Sequence, residues 1–400
     1  MNILLLTLGF SESRGTYIDL MKEIKSKGHE VYIVTPIEKK YNQETSLKKI
    51  DGLNVLRVKT GNLQKVNKFE KGISTLMLEN QLIKGIDKYL SDIKFDLIVY
   101  STPPITFSKV VNYVKRRDNA STYLMLKDIF PQNAVDLGMM KENGLLYKFF
   151  RKKEVGLYNE SDYIGCMSQG NVDFVLKHNK FISKDKVEIL PNTITPIKQE
   201  ILSIEERSNI RKKYNIPTEK TVFVYGGNLG KPQGIDFVIE CIRENENRKE
   251  SFFLVIGSGT EYPKLETYIK ENNIKNSAIY SYMPKEDYDN VVKACDVGLV
   301  FLDNRFTIPN IPSRMLTYME FGMPILAATD KSTDFGEIIE SGKFGFWSES
   351  GNINDFYINI DKLCNDKDLL INMGLKGREY LENNYTSKDS YEIIMKHFKN

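Results

Sequence analysis

In the first half of the chain, the runs NILLLTLG, EVYIVTP, LNVLRVKT, FDLIVYST, STYLMLKDIF and YIGCMS are short, apolar and rich in β-formers, and most are separated by amphipathic stretches of helix length. This alternation restricts the fold more than any other feature. It predicts α/β units on a largely parallel sheet. The segment RGTYIDLMKEIKSKGHE shows the unit: Tyr17, Leu20, Met21 and Ile24 recur at helical spacing, and Gly28 supplies a stop before the next strand. At KVEILPNTITP (186–196) a strand ends at Pro191 and a polar turn with a second proline follows, a linker by its composition. The pattern then restarts with TVFVYGGN, SFFLVIGSG, SAIYSYMP, DVGLVFL and MPILAAT. Two α/β domains are expected, 1–193 and 194–385. The amphipathic end DSYEIIMKHFKN predicts a helix over about 386–400 that packs back on the first domain. A chain of 400 residues fits two domains of roughly 200, with room for a small-molecule cleft between them.

A hydrophobic fraction of 41% and a charged fraction of 27% are those of a soluble globular protein, and no apolar run approaches the roughly 20 residues that span a bilayer. MNILLLTLGF is short and lacks a basic n-region, so it reads as a first buried strand rather than a signal peptide, and a cytoplasmic location is expected. Cys166, Cys241, Cys295 and Cys364 are scattered, as are His29, His178 and His397, which suggests neither a disulfide framework nor a metal site. Charge is uneven: residues 1–195 carry about +8 and the remainder about −5. The first half can therefore face an anionic partner. No nucleic-acid partner is expected.

Two stretches carry the chemistry. In FVYGGNLGKPQGIDFVIE (223–240), Gly226, Gly227 and Gly230 let backbone amides approach a ligand, a helix begins near Gln233 or Gly234, and Lys231 adds positive charge. A diphosphate would suit the place, although a tight β-to-α turn is the plain alternative. In FTIPNIPSRMLTYMEFGMPILAATD (306–330), Pro309 and Pro312 hold the approach extended and Ser313 is the expected N-cap. Arg314 then falls in the first helical turn, where a cation opposes the helix dipole unless an anion is bound. Arg314 could fork two phosphate oxygens while the amides of Met315 and Leu316 point at the same group.

The motifs YGGNLGKPQGIDFVIE, GSGTEYPKLE, YSYMPKEDYDNVVKACDVGLVFL and IPSRMLTYMEFGMPILA, in this order, resemble the nucleotide-sugar half of GT-B enzymes of glycosyltransferase family 4. In the first domain, YSTPPITF and LKDIFPQNAVDLGMM resemble bacterial capsule and O-antigen transferases, especially the N-acetyl-L-fucosamine transferase type. The resemblance covers nearly the whole chain and implies a GT-B fold, α/β, with two Rossmann-like domains facing across a cleft. It further implies that Gly227, Asn228, Lys231, Gln233, Ser313, Arg314, Met315 and Leu316 surround the donor diphosphate, with Tyr282, Met283 and Pro284 beside the nucleobase. The resemblance also implies a nucleoside-diphosphate sugar as donor and no metal or other cofactor, because cations and helix ends would stabilise the leaving group.

The chain departs from the family pattern in three places. Asn228 stands for the usual Arg of the glycine turn and Gln233 for a Lys. The paired glutamates fall on Pro309 and Thr317, leaving Glu320 and Glu337 as nearby carboxylates, each read first as a solvated helix residue. Where many relatives have His-Asp, this chain has Lys127 and Asp128 at the end of an apolar strand, where α/β sites gather. Asp128 is the candidate general base or orienter of an acceptor hydroxyl, against the plain reading of a turn cap. In the family the His lies near the donor's 6-hydroxyl; a 6-deoxy sugar has no use for it, which suits a fucosamine-type donor.

On the acceptor side, Arg14 and Gly15 precede a helix expected from Thr16, and Thr102 and Pro103 follow the fourth strand as a possible rim. GLLYKFFRKKEVGLY (144–158) interleaves Leu145, Leu146, Phe149 and Phe150 with Lys148, Arg151, Lys152 and Lys153, which suits a membrane surface of anionic lipid as well as it suits an ordinary surface helix. The combined reading is transfer of an amino sugar, N-acetyl-L-fucosamine from its uridine diphosphate carrier, to a polyprenyl-diphosphate-linked sugar at the inner membrane surface. The alternatives are a GT-B sugar-nucleotide epimerase and a degenerate transferase kept as an assembly partner. A dinucleotide oxidoreductase is disfavoured, because IGSGTE offers Gly257 and Gly259 but no third glycine.

Overall fold

A computed structural model describes residues 1–63 and 66–398. They form two compact units, Met1–Thr195 with Thr386–Asn400 (unit 1), and Pro196–Tyr385 (unit 2). The division falls after Thr195 rather than residue 193 because the linker stays tied to unit 1. The Thr195 N–H donates to Asp19 at 2.9 Å, and Ile194 bridges to Thr386.

Unit 1 is built on β1 (Asn2–Leu6), β2 (Glu30–Glu38), β3 (Ser46–Ile50), β4 (Leu53–Thr60), β5 (Leu97–Ser101), β6 (Ser121–Leu126), β7 (Tyr163–Cys166) and β8 (Val187–Ile189). They lie in the order β3-β4-β2-β1-β5-β6-β7-β8. All neighbours are parallel except β3 with β4. The alternation of apolar runs missed β3, whose residues Leu47, Lys48 and Lys49 are all exposed. Its signal is a different one: Asp51 and Gly52 both take positive φ in a two-residue turn that pairs Ile50 with Leu53.

The helix Thr16–Ser26 packs Ile18, Met21 and Ile24 into the unit 1 core, and Gly28, at φ +87°, ends it. The helix Ser387–Met395 adds Tyr391, Ile394 and Met395 to the same core. Its start is fixed by hydroxyl pairs, Thr195 Oγ1 with Ser387 Oγ at 2.6 Å and Thr193 Oγ1 with Ser390 Oγ at 2.8 Å. The last two residues of the expected helix over 386–400 lie outside the described residues.

Unit 2 has β9 (Thr221–Asn228), β10 (Ser251–Ser258), β11 (Ser277–Tyr280), β12 (Val297–Phe301), β13 (Ile325–Thr329) and β14 (Gly345–Glu349). The order is β11-β10-β9-β12-β13-β14, all parallel. The sequence reading had no β14. It is one of the two edge strands of the unit, and only its pairing with β13 defines it. The order reverses at β9, from which the chain runs outward to one side and then returns to the other through β12. That switch opens a crevice beyond the carboxyl ends of the strands, where open α/β sheets bind ligands. No described helix is long and apolar enough to cross a membrane.

Candidate active site

In unit 2 the switch point is the turn after β9, a 3-10 turn Lys231–Gln233 leading into the helix Ile235–Asn245. Its three glycines have different causes. Gly226 is bare because the Tyr288 phenol lies where a Cβ would be, and its N–H donates to the Tyr318 hydroxyl at 3.2 Å. The Gly230 N–H donates to Gln233 Oε1 at 2.9 Å, an oxygen that also receives Asn228 Nδ2 at 3.2 Å. Only Gly227 remains open. It is exposed, at φ +135°, and an added Cβ would meet nothing nearer than the Arg314 guanidinium at 3.5 Å.

Arg314 opens the helix Arg314–Glu320. Its guanidinium lies over the Tyr225 ring, 4.2 Å from the centroid. Its Nη1 is buried and has no hydrogen-bond partner among the described residues. Leaving a buried donor unpaired costs about 1–3 kcal/mol, more when it is charged, so an orphan of this kind calls for a cause. Tyr288 stands beside it. Burial raises that phenol to about 12 against the pull of the Arg314 charge, so it stays a protonated donor.

Several expectations for this unit need correction. The amides of Met315 and Leu316 are already committed, to Pro312 O at 3.2 Å and Ser313 O at 3.1 Å, because the chain enters the helix through a tight turn. They are not free to meet a phosphate. Ser313 occupies the N-cap position but has helical φ and ψ and makes no side-chain cap bond. Gln233 is buried and latches the glycine turn from within, so it does not face a ligand. Lys231 is exposed, Met283 is buried, and the exposed Pro284 begins the helix Lys285–Lys293. Glu320 is buried and accepts the Ile197 N–H at 2.9 Å, which makes it a tie to the linker, and Glu337 is exposed on the helix Phe335–Ser341. A cavity of about 650 Å³ lies elsewhere in the unit, against Thr221, Asp296 and Pro324 at the amino edge of the sheet.

In unit 1, Asp128 follows β6 and is held from two sides. The Thr102 hydroxyl, just beyond β5, accepts the N–H of Lys127 at 2.9 Å and of Asp128 at 3.1 Å, and donates to the Asp128 carbonyl at 3.1 Å. Thr102 is therefore buried behind Asp128 rather than standing on an acceptor rim. The Asn133 amide donates to both carboxylate oxygens, at 2.8 and 2.9 Å. Burial pushes Asp128 up to about 6, partly offset by the Asn133 bonds. Lys127 is pulled down to about 7 by burial, and its Nζ donates to the carbonyls of Leu190 and Pro191 at 3.0 and 3.1 Å. It ties the end of β6 to the end of β8, and is not presented to a substrate as the catalytic reading required.

Residues 206–380, nearly all of unit 2, match the protein-family model described as glycosyl transferases group 1. The chain is a glycosyltransferase. It is 23% identical over 345 residues, 82% of each chain, to the probable glycosyltransferase WbjE of Pseudomonas aeruginosa. It is 21% identical over 257 residues to the putative colanic acid biosynthesis glycosyl transferase WcaI of Escherichia coli, covering 62% of this chain and 61% of that one. Among solved structures it resembles the sucrose-phosphate synthase of Thermosynechococcus elongatus, with a TM-score of 0.76 at 14% identity over 99% and 98% of the two chains. It also resembles Anabaena Alr3699/HepE in complex with UDP and glucose, with a TM-score of 0.72 at 15% identity over 100% and 99%. These likenesses show the fold class, GT-B with two Rossmann-like domains.

The remaining expected residues of the glycosyltransferase lie in unit 1. Arg14 is exposed and donates to Thr195 O at 2.6 Å. The Gly15 N–H points at the Asp19 carboxylate, 3.3 Å away, so an acid already sits at the helix start where an anionic acceptor group was expected. Pro103 is exposed. On the helix Leu145–Glu160, Leu145, Leu146, Phe149, Lys148 and Lys152 are exposed. Phe150 and Arg151 do not share that face. Phe150 packs edge-on against Phe130 with centroids 5.0 Å apart, and Arg151 pairs with the buried Glu154 and with Asn179. Asn133, Tyr225 and Tyr288 were absent from the sequence reading. Asn133 reaches Asp128 by a turn with no periodic signature, and the two tyrosines looked like ordinary strand and helix residues.

Proposed function

We propose that the glycosyltransferase uses a nucleoside-diphosphate sugar, bound at the turn after β9, and acts in the synthesis of a bacterial surface polysaccharide. The observation that carries this is Arg314: a buried guanidinium nitrogen without a partner, beside the one open glycine of the turn. A diphosphate supplies two oxygens to a guanidinium fork and takes up negative charge as the glycosidic bond breaks, so contacts made there strengthen toward the transition state. The sugar C1–O bond breaks with its electron pair going to the diphosphate. C1 then bonds to the acceptor hydroxyl, whose proton passes to the Asp128 carboxylate. With a pKa near 6, that group is largely ionised at neutral pH and still basic enough to take the proton.

The finer reading is N-acetyl-L-fucosamine as the sugar, uridine diphosphate as its carrier, and a polyprenyl-diphosphate-linked sugar as acceptor at the inner face of the membrane. It is supported by Lys127 standing where the family resemblance places a His, and by the exposed Leu145, Leu146 and Phe149 beside Lys148 and Lys152; the name of WcaI, a putative colanic acid biosynthesis enzyme, supports the polysaccharide setting alone. The test is a thermal-shift screen of nucleoside diphosphates and their sugars, followed by transfer assays with the one that stabilises most. Stabilisation by uridine diphosphate that Arg314→Ala removes supports the donor site. No response to any nucleotide, in a folded protein, favours a degenerate assembly partner.

A further inference from the structure

The helix Lys68–Tyr89 in unit 1 changes character halfway along one face. Ser74, Leu78, Leu82, Gly85 and Ile86 are buried against the unit. At 100° per residue, Phe69, Ile73, Leu76 and Met77 fall together on the opposite side, and they are exposed by 79%, 46%, 66% and 52%. The same side continues with Asn80, Lys84 and Asp87, all exposed and polar. Water would accept polar residues along the whole face, as its second half shows. Four large apolar side chains confined to the first half therefore need another surrounding.

The helix Leu145–Glu160 repeats the arrangement. Leu145 and Phe149, 89% and 42% exposed, lie in its first turns, with Lys148 between them and Lys152 after them. Both helices connect parallel strands, β4 to β5 (with β2 and β1 between them in the sheet) and β6 to β7, so both run against the strand direction. Their amino ends therefore lie at the carboxyl edge of the sheet, the edge from which Asp128 projects. The two helices are joined directly: Lys153 Nζ reaches Glu79 at 3.1 Å, and Glu79 accepts the Lys109 N–H at 2.7 Å.

Charge identifies the surrounding. Lys71, Lys109, Lys141, Lys148 and Lys152 are exposed around these helix ends and outnumber the acids there, exposed Glu142 and half-buried Glu70, whereas Glu79 and Glu154 are buried in pairs with Lys153 and Arg151. Apolar ends with ammonium groups among and behind them fit a bilayer of anionic phospholipid, with acyl chains around the apolar side chains and headgroup phosphates at the lysines. We propose that the amino-terminal halves of the helices Lys68–Tyr89 and Leu145–Glu160 form one membrane-docking face, led by Phe69 and Leu76, that seats the carboxyl edge of unit 1 on an anionic bilayer. This deepens the membrane part of the proposed function and needs no sugar or donor to be measured.

The experiment is co-sedimentation of the full chain with vesicles of phosphatidylglycerol and, separately, of phosphatidylcholine. Wild type binds the first, weakly or not at all the second, and less as salt rises. A Phe69→Ser, Leu76→Ser double variant loses binding by roughly tenfold or more, and Leu145→Ser with Phe149→Ser loses a comparable amount. Both variants keep the wild-type melting temperature and far-UV circular dichroism, which separates loss of docking from loss of fold, and vesicle binding is read without nucleotide, so it does not depend on the donor site. Failure of wild type to bind phosphatidylglycerol vesicles overturns the proposal, as does undiminished binding by the Phe69/Leu76 variant. So does a wild-type dimer in sedimentation velocity that this variant dissociates without change in vesicle binding, since a second copy would then cover the face.

Discussion

At the carboxyl edge of the unit 2 sheet a cation is left incomplete: Arg314 keeps a buried Nη1 unpaired beside an open glycine. At the corresponding edge of unit 1 a carboxylate is held on both oxygens, and by a neutral amide rather than a cation. The same architecture thus carries two electrostatic designs. An Arg stays charged at any working pH, so its unpaired nitrogen can be completed only by an anion, as a leaving diphosphate is. An Asp beside a cation would be locked in the ionised form. Beside Asn133, and buried, it is free to rise to about 6 and to exchange a proton.

The comparison breaks most visibly at Arg314. Arg314→Ala should lower transfer by roughly 10²–10³-fold and abolish stabilisation by uridine diphosphate. Arg314→Lys restores the charge without the fork and should recover only part of both. Asp128→Asn should lower kcat by about 10²-fold or more while leaving the nucleotide-induced thermal shift unchanged, so the two edges separate in a paired binding and rate measurement.

The pH dependence sharpens the contrast. Transfer by wild type should rise through about pH 6 as Asp128 ionises, and then level. Stability should run the other way. The folded state holds the Asp128 proton to higher pH than the unfolded chain does, so this group's contribution is fully present below the ordinary carboxylate range and is lost as pH rises through about 6. Asp128→Asn removes that slope in denaturation curves taken across the window.

Two smaller effects test the supports of each edge. Asn133→Ala removes donors that favour the ionised form, so the rising limb of the rate profile should move to higher pH, with activity at high pH reduced by less than about tenfold. A limb that stays in place would detach Asn133 from Asp128. Gln233→Ala unlatches the Gly230 N–H and Asn228, and should cost about 1 kcal/mol in denaturant unfolding with a weaker grip on uridine diphosphate. It should leave the Asp128 limb untouched.

The glycine turn shows how far a sequence can be read. Its position between strand and helix was legible, because glycines and a following amphipathic run are local signals. The separate tasks of Gly226, Gly227 and Gly230 were not, since they depend on Tyr288, Arg314 and Gln233 arriving from other points of the chain. Asp128 was legible as the polar residue closing an apolar strand, but Thr102 was misread as a rim and Asn133 missed, because both act on Asp128 only after the chain turns back. On the helix Leu145–Glu160 the interleaving of charge and apolar residues was visible, yet it could not show that Arg151 turns inward to Glu154 and Asn179.

The sequence by itself determined what repeats locally: the two α/β halves, the parallel strands, the break near Thr195, and a fold class carried by strand and helix periodicity. Periodicity is a property of neighbours along the chain, so it survives without coordinates. The tertiary structure alone decided which polar groups were already satisfied. It committed the amides of Met315 and Leu316, the ammonium of Lys127 and the hydroxyl of Thr102 to partners within the fold, and left Arg314 Nη1 without one. A hydrogen bond is settled within about 3 Å, and that distance is fixed only when remote segments pack.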